Sequence, residues 1–182
     1  MKYDEKDITR QLGDPKTRRA AFEAVVRQYS EPLYWKVRHI VVDHDDANDI
    51  MQNVFLKAWN SLDDFQQRSK ISTWLYRIAV NESLDFLRKQ KAASVIHADE
   101  DISVGNKLMA DEYFDGDEVQ ALLQEAIAHL PDVQRTVFTL RYYDEMKYAD
   151  MSQLLNTSEG ALKASYHLAV KKITDYVRKH ES

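Results

Sequence analysis

Apolar residues recur every three or four positions through most of this chain, which is the spacing of one side of an α-helix. Shorter segments that lack this period separate the periodic stretches. Four glycines and three prolines in 182 residues favour long helices with short connections. The pattern predicts an all-α protein with helices at 17–29, 31–41, 44–60, 71–91, 118–130, 132–143, 147–155 and 158–179.

Residues 92–118, which lead from the fourth predicted helix to the first residue of the fifth, have no sustained helical period. They contain two of the four glycines, and their eight acidic residues against one lysine give a formal charge of −7. The corresponding charges are +2 for the preceding residues and 0 for the following ones. We therefore expect two small helical domains, residues 1–92 and 119–182, joined by a flexible acidic linker at 93–118.

The whole chain has a formal net charge of −5, but the linker accounts for this acidity. Contact between nucleic acid and either flank is therefore not excluded. The absence of cysteine excludes disulfides, thiolate metal ligands and cysteine nucleophiles. The first residues lack the apolar core of a signal peptide, and no run of about 18 apolar residues occurs. We expect a cytoplasmic protein without membrane insertion.

The helix expected at 71–91 has two contrasting sides. At about 100° per residue, a polar stripe about 80° wide contains Trp74, Arg77, Asn81, Asp85 and Arg88. The opposite side contains the apolar residues Leu75, Tyr76, Ala79, Val80, Leu84, Phe86 and Leu87. The apolar side is expected to build a core, and the stripe is expected to face something outside the domain.

The helix at 44–60 has a similar division. Its core side contains Ile50, Met51, Val54 and Ala58, with Leu62 just beyond it. Its other side contains Asp45, Asp49, Gln52, Asn53, Leu56 and Asn60. Solvated helix surfaces are usually richer in Lys and Glu, so this side is a candidate interface, although an ordinary solvated surface remains the commoner case.

The segment "DDFQQRSKIS" connects these two helices. It places two glutamines, Arg68 and Lys70 beside Phe65, and Trp74 follows shortly afterwards. Amide hydrogen bonds, cationic contacts to phosphate and aromatic stacking commonly hold unpaired bases. Base binding is therefore a hypothesis for this segment, while its composition alone favours an ordinary solvated loop.

The last two predicted helices, separated by a short polar turn, have the pattern of a helix-turn-helix motif. Asn156 or Thr157 is expected to cap the second helix. Its expected core residues are Leu162, Tyr166, Ala169, Ile173 and Tyr176 or Val177. In this motif the second helix reads the major groove with its exposed N-terminal residues. These are Ser158, Glu159, Lys163, Ala164, Ser165 and His167. The pattern alone leaves DNA binding and a plain helix pair equally open.

No catalytic chemistry is indicated by the sequence. The chain has no glycine-rich phosphate loop, and its six histidines are scattered rather than paired on one side of a helix. Nothing predicts a catalytic residue, a metal site or a cofactor. We therefore expect a binding protein and not an enzyme.

Four segments together resemble a known family. "FEAVVRQYSEPLY", "DANDIMQNVFLKAW", "STWLYRIAVNESLDFLRK" and "LPDVQRTVFTLRYYDEMKYADMSQLLNTSEGALKASYHLAVKKI" are similar, in this order, to regions two and four of bacterial extracytoplasmic-function (ECF) sigma factors. These proteins are the small initiation subunits of RNA polymerase. The resemblance covers nearly the whole chain except the first dozen residues and the linker.

The resemblance implies three sets of contacts. Binding to core RNA polymerase would involve Asn48, Asp49, Gln52, Asn53 and Leu56. Binding to the melted minus-ten strand of the promoter would involve Gln66, Gln67, Arg68, Ser69, Lys70, Trp74, Arg77, Asn81 and Arg88. Reading of the duplex minus-thirty-five element would involve Ser158, Glu159, Lys163, Ala164, Ser165, His167 and Lys171. An anti-sigma factor is a further partner that the resemblance implies.

The sequence departs from the family pattern in two places. Asn53 stands where many relatives carry an acidic residue, so the strength of polymerase docking is in question. In the recognition helix, Leu168 and Val170 stand where arginines are frequent, and Ala164-Ser165 replaces a frequent Ser-Arg pair. Reading of the duplex must therefore rest on fewer cationic residues.

The acidic linker admits two interpretations. Its carboxylates could keep a solvated spacer extended by mutual repulsion. In the family, however, the corresponding segment enters the polymerase towards its active centre, where a chain of carboxylates could occupy a channel built for RNA. We favour the second interpretation.

Two other functions fit parts of the pattern. A stand-alone helix-turn-helix regulator would bind duplex DNA tightly without polymerase, and it would not need the polar stripe that includes Trp74 and Asn81. A helical adaptor would use its polar helix surfaces to bind other proteins. Binding to promoter DNA with and without core polymerase distinguishes the three functions.

Overall fold

The computed structural model describes residues 3–65, 69–94 and 116–180. Within these ranges every regular element is helical, which confirms the all-α prediction. The helices are α1 (Glu5–Leu12), α2 (Arg18–Val41), α3 (His44–Asn60), a short 3₁₀ helix (Leu62–Asp64), α4 (Ile71–Ser94), α5 (Glu118–Ala128), α6 (Asp132–Tyr142), α7 (Tyr148–Leu155) and α8 (Glu159–His180).

The chain divides into two compact units, Met1–Ala92 and Ala93–Ser182. They are called the N-terminal unit and the C-terminal unit below. Most of the predicted linker lies outside the described residues, as do the loop residues Gln66, Gln67 and Arg68. The interpretations that rest on these residues stay predictions.

Helix α2 is continuous, so the predicted break near residue 30 is wrong. Pro32 lies inside the helix although proline removes a backbone donor and costs about 3 kcal/mol in a helix interior. Apolar side chains are buried on both sides of it, including Val25 before the proline and Leu33 and Val37 after it. Burial along the whole length offsets the local cost of the proline.

Helix α1 was not predicted from the sequence. The side chain of Asp4 caps it by accepting a hydrogen bond from the backbone N–H of Asp7 at 2.9 Å. Glu5 reaches a distant part of the chain, because its Oε1 accepts a hydrogen bond from the backbone N–H of Ile71 at 2.7 Å. A carboxylate from α1 thereby satisfies one of the unpaired donors at the start of α4.

The core of the N-terminal unit comes from α2, α3 and α4. Its buried side chains include Val25, Leu33, Val37, Ile40, Ile50, Val54, Ala58, Ile71, Leu75, Ala79, Val80 and Leu87. Two contacts at the surface add to this packing of α4. Lys36 Nζ lies 4.3 Å from the centre of the Tyr76 ring, and Lys57 forms an ion pair with Glu82. Helix α4 is therefore attached to α1, α2 and α3.

His39, in the last turn of α2, packs beside Trp35 with their ring centres 5.9 Å apart. Burial, together with the positive charges of Arg38 and Lys36, lowers the pKa of His39 to about 4. The ring is therefore neutral near neutral pH. Its packing against Trp35 is consistent with a structural role.

The C-terminal unit is built around an apolar cluster from α5, α6 and α8. Its buried members are Ala126, Ile127, Leu130, Phe138, Ala169 and Ile173. Arg135 is buried beside this cluster and donates from Nη1 to the carbonyls of Ala128 and Leu130, each at 3.1 Å. Its Nη2 also pairs with Asp132 at 2.9 Å. One side chain thus ties the end of α5 to the first turn of α6.

A tight turn joins α7 to α8. Asn156 adopts a left-handed conformation (φ 49°, ψ 49°) and ends α7, while the Thr157 hydroxyl donates to the Leu155 carbonyl at 3.1 Å. The cap of α8 is Ser158, whose Oγ accepts a hydrogen bond from Ala161 N at 3.3 Å. The predicted cap at Asn156 or Thr157 is wrong, since the chain needs both residues to reverse its direction.

The Glu5–Ile71 hydrogen bond provides a test of the fold. We expect Glu5→Ala to lower the free energy of unfolding by about 1 kcal/mol, because removing a side-chain cap costs about that much. Glu5→Gln retains an oxygen acceptor and should lose less. Urea denaturation followed by circular dichroism measures both changes.

Glu23→Ala is the matched control for this test. Its carboxylate makes only an exposed pair with Arg19, with 3.4 Å between nitrogen and oxygen, and such pairs contribute little. Equal destabilisation by Glu5→Ala and Glu23→Ala would show that the contact with α4 does not stabilise the unit.

Candidate polymerase and nucleic-acid interfaces

The outer side of α3 presents the residues expected to dock on polymerase. All five are exposed: Asn48, Asp49, Gln52, Asn53 and Leu56. Leu56 exposes 59% of its surface, which is unusual for a leucine on a helix that buries its other side. The predicted core side of the same helix is buried, with Ile50, Met51, Val54 and Ala58 at most 8% exposed. The two sides of α3 are therefore separated as predicted.

The start of α3 is strongly acidic. Asp43 caps the helix by accepting hydrogen bonds from the backbone N–H groups of Asp45 and Asp46, at 2.9 and 3.2 Å. Burial raises the pKa of Asp46, and the nearby charges of Asp43, Asp49 and Asp45 raise it further. A hydrogen bond from the Gln90 side chain lowers the pKa of Asp46. The candidate docking surface thus begins in a region of negative charge, which would complement a basic partner.

Trp59 is a candidate docking residue that the sequence analysis missed. It lies seven residues after Gln52, which places it two turns further along the same side of α3. Its ring packs against Phe22 with centres 5.2 Å apart, yet 39% of the residue is exposed. Aromatic residues are enriched in protein interfaces. The helical spacing from Gln52 was the signal that could have revealed it.

The polar stripe of α4 lies on the outside of the N-terminal unit. Arg77, Asn81 and Arg88 are exposed, as are Ser69 and Lys70 just before the helix. Arg88 Nη2 pairs with Asp85 at 2.6 Å, so this guanidinium is already engaged within the helix. Arg77 and Asn81 are the members of the stripe best placed for contact with another molecule.

Trp74 is half-buried instead of projecting fully from this stripe. Its ring packs against Phe65, with centres 4.7 Å apart and 34° between the planes. The two aromatic residues that the sequence analysis assigned to base stacking therefore stack on each other. Together they form an aromatic edge beside Ser69 and Lys70, where an unpaired base could stack.

The outer side of α8 carries most of the residues expected to read duplex DNA. Ser158, Glu159, Lys163, Ala164, His167 and Lys171 are exposed, while Ser165 is half-buried at the edge of the helix. The predicted core residues Leu162, Ala169 and Ile173 are buried on the opposite side. Ser158 already caps the helix, which limits its hydroxyl for other contacts.

Tyr148, at the start of α7, has two cations near its ring. Arg141 lies 5.1 Å and Lys163 lies 5.6 Å from the centre of its ring. Arg141 also donates from Nη1 to the Met146 carbonyl at 3.0 Å. Arg141 and Tyr148 were not predicted as site residues, because only the tertiary packing of α6, α7 and α8 brings them to Lys163. The Lys163 side chain thus takes part in a cation–π cluster within the C-terminal unit.

Within the described residues, no group of three or more His, Asp or Glu side chains could hold a metal ion. In the same part of the chain, no helix combines the length and apolar character needed to cross a membrane.

The sequence matches two family models. "Sigma-70 region 2" matches residues 25–93, which include α3 and all but the last residue of α4. "Sigma-70, region 4" matches residues 120–173, which include α7 and α8 as far as Ile173. The ECF RNA polymerase sigma factor SigW of Bacillus subtilis is 33% identical over 156 residues, or 81% of this chain and 83% of that protein. The ECF RNA polymerase sigma-E factor of Escherichia coli K12 is 30% identical over 182 residues, or 92% of this chain and 90% of that protein.

Two solved structures share the fold. The sigma factor RpoE of Bartonella quintana, in complex with the anti-sigma factor NepR, aligns with a TM-score of 0.65 at 20% identity, over 86% of this chain and 96% of that one. CnrH, in complex with the cytosolic domain of CnrY, aligns with a TM-score of 0.64 at 20% identity, over 97% and 98%. Because both sigma-70 regions match in order and the curated relatives align over most of their length, this chain belongs to the ECF family of RNA polymerase sigma factors.

Proposed function

We propose that three exposed helix surfaces divide the work of promoter-specific initiation. The outer side of α3 docks on core RNA polymerase, the polar stripe of α4 holds the melted minus-ten strand, and the outer side of α8 reads the minus-thirty-five duplex. One observation supports this division most strongly: each of these helices buries one side and exposes on the other most of the residues that the family resemblance selects, with Trp74 and Ser165 half-buried. The domain assignment 1–92, 93–118 and 119–182 belongs to this proposal.

Docking through α3 is supported by its mixed chemistry. Leu56 and Trp59 provide apolar surface, and Asp49 and Gln52 provide groups that form directional hydrogen bonds. Protein interfaces combine an apolar centre with a polar rim in this way. The acidic start of the helix would guide the approach of a basic partner surface.

Holding a melted strand requires favourable contacts with each exposed base. Separating a duplex costs about 1.4 kcal/mol per step, and stacking on protein aromatic groups contributes about 1–3 kcal/mol per base. The Phe65–Trp74 edge offers a stacking surface, Arg77 and Lys70 offer charge to phosphates, and Asn81 offers an amide for base edges. The stripe therefore suits single-stranded DNA better than duplex.

Reading of the duplex is supported by the geometry of the C-terminal unit. A helix-turn-helix places the N-terminal half of its second helix in the major groove. Lys163 and Lys171 lie on the exposed part of α8, where they can approach phosphates or base edges. Leu168 and Val170 stand where relatives frequently carry arginine, so part of this surface is apolar.

The same proposal covers the remaining expectations. The chain acts as a binding subunit without catalytic residues of its own, and it works in the cytoplasm where polymerase and DNA meet. A sigma factor of the same fold has been solved with an anti-sigma factor, and we extend the proposal to a protein inhibitor of that kind. Such an inhibitor would cover one or more of the three surfaces.

Docking through α3 predicts the effect of a double substitution. Asp49→Ala combined with Gln52→Ala should weaken binding to core polymerase by about 30-fold or more, since truncating one side of a buried charged contact costs about 2–5 kcal/mol. The thermal unfolding curve should not change, because both side chains are exposed. Competition with labelled wild-type protein for core enzyme measures the affinity.

The matched control is Gln28→Ala combined with Glu31→Ala, which removes one amide and one carboxylate from the exposed side of α2. This variant should compete as well as the wild type. Unchanged competition by the α3 variant would rule out docking through Asp49 and Gln52.

The melted-strand assignment predicts a template-dependent defect. Asn81→Ala should bind polymerase normally but form fewer open complexes on duplex promoters, because a base contact made only after melting is lost. A template that is already unpaired over the minus-ten element should restore part of the activity. Permanganate footprinting with run-off transcription measures both steps, and normal initiation by Asn81→Ala on duplex DNA would show that the assignment is wrong.

A further inference from the structure

The recognition helix exposes a leucine beside its buried side. Leu168 exposes 46% of its surface and lies one turn after Ala164, about 100° around α8 from the buried Ala169 and about 120° from the buried Leu162. The core of the unit buries Leu162, Ala169 and Ile173 of the same helix but leaves Leu168 nearly half exposed. Packing within the C-terminal unit therefore does not account for it.

Gly160 extends the same row by one more turn towards the start of the helix. A Cβ atom placed on Gly160 would meet no atom within 4 Å, so the fold has room for a side chain at this position. These three positions form a row along the helix, here called the apolar row: Gly160, Ala164 and Leu168. The size of the side chain increases along the row with distance from the turn. Such a row allows another molecule to approach the helix closely near its N-terminus.

The surroundings of the apolar row favour DNA as the occupant. Lys163 and Lys171 lie on the same exposed part of α8, and His167 lies between them along the helix. The major groove of DNA is lined by phosphates at its rims and by base edges, some of them apolar, at its floor. The lysines can contact the phosphates while the apolar row faces the base edges. In the major groove, the 5-methyl group of thymine is the apolar group that side chains contact.

We infer that Leu168, assisted by Ala164, reads thymine through its 5-methyl group within the upstream promoter element. This inference rests on the proposed reading of duplex DNA by α8 and specifies its base preference. Guanine reading requires a two-donor side chain such as arginine, and leucine offers no donor. The base pair under Leu168 is therefore selected by apolar contact and not by hydrogen bonds.

The test uses the full-length chain assembled with core RNA polymerase. A duplex pool randomised over the upstream element is selected for binding, and the enriched duplex is sequenced. It is then resynthesised with deoxyuridine in place of each thymidine in turn, a change that removes only the methyl group. At one or two positions, affinity should fall about fourfold, the ratio expected for about 0.8 kcal/mol per buried methyl group.

Three variants identify the residue responsible. Leu168→Ala should lose the penalty for deoxyuridine, and Leu168→Arg should shift the selected base at that position to guanine. Val170→Ala is the matched control, since Val170 is 38% exposed but lies about 160° around the helix from Leu168. This control should retain the full penalty.

Two results would overturn the inference. The first is equal affinity of the wild-type complex for thymidine and deoxyuridine at every position. The second is an unchanged loss of affinity for the deoxyuridine duplex in the Leu168→Ala complex. A selection that enriches no upstream sequence at all would have a different meaning, because it would overturn the proposed duplex reading by α8 itself.

Discussion

Burial of one side of α4 is the constraint on which the N-terminal unit depends. Ile71 and Leu75 are fully buried, and each large apolar side chain removed from water contributes about 1.5–3 kcal/mol. This burial fixes the rotation of the helix about its axis, so Arg77 and Asn81 must lie outside. The hydrogen bond from Glu5 also fixes its first turn. Helices α3 and α8 also bury one side, so the proposed functional surfaces are the sides that the cores leave exposed.

Much of the fold could be predicted because helical periodicity is local information. The bounds of α3 match the predicted 44–60, and its predicted core residues are buried. Helix α1 was missed because only Leu12 of its eight residues is buried, and its link to α4 spans 66 positions. The break predicted before Pro32 failed because tertiary burial outweighs a local preference. Local signals thus predict which segments are helical better than where each helix ends.

The candidate site could be predicted only in part. Helical spacing correctly separated the exposed residues of α3 and α8 from the buried ones. It did not predict that Trp74 would pack on Phe65, nor that Lys163 would share the Tyr148 ring with Arg141, because these contacts depend on tertiary structure. The roles of the exposed residues come from the family resemblance, since exposure alone does not identify a partner.

The most direct test of this account compares promoter binding with and without core RNA polymerase. On the proposed division, the three surfaces would act together only when polymerase holds both units on one DNA, because linked contacts raise the effective concentration of each. Fluorescence anisotropy with a labelled promoter fragment measures the affinity of the chain alone and of the assembled complex. The account predicts weak binding by the chain alone and tight, sequence-dependent binding after core enzyme is added. Equally tight and specific binding by the chain alone would contradict it and would indicate a stand-alone regulator.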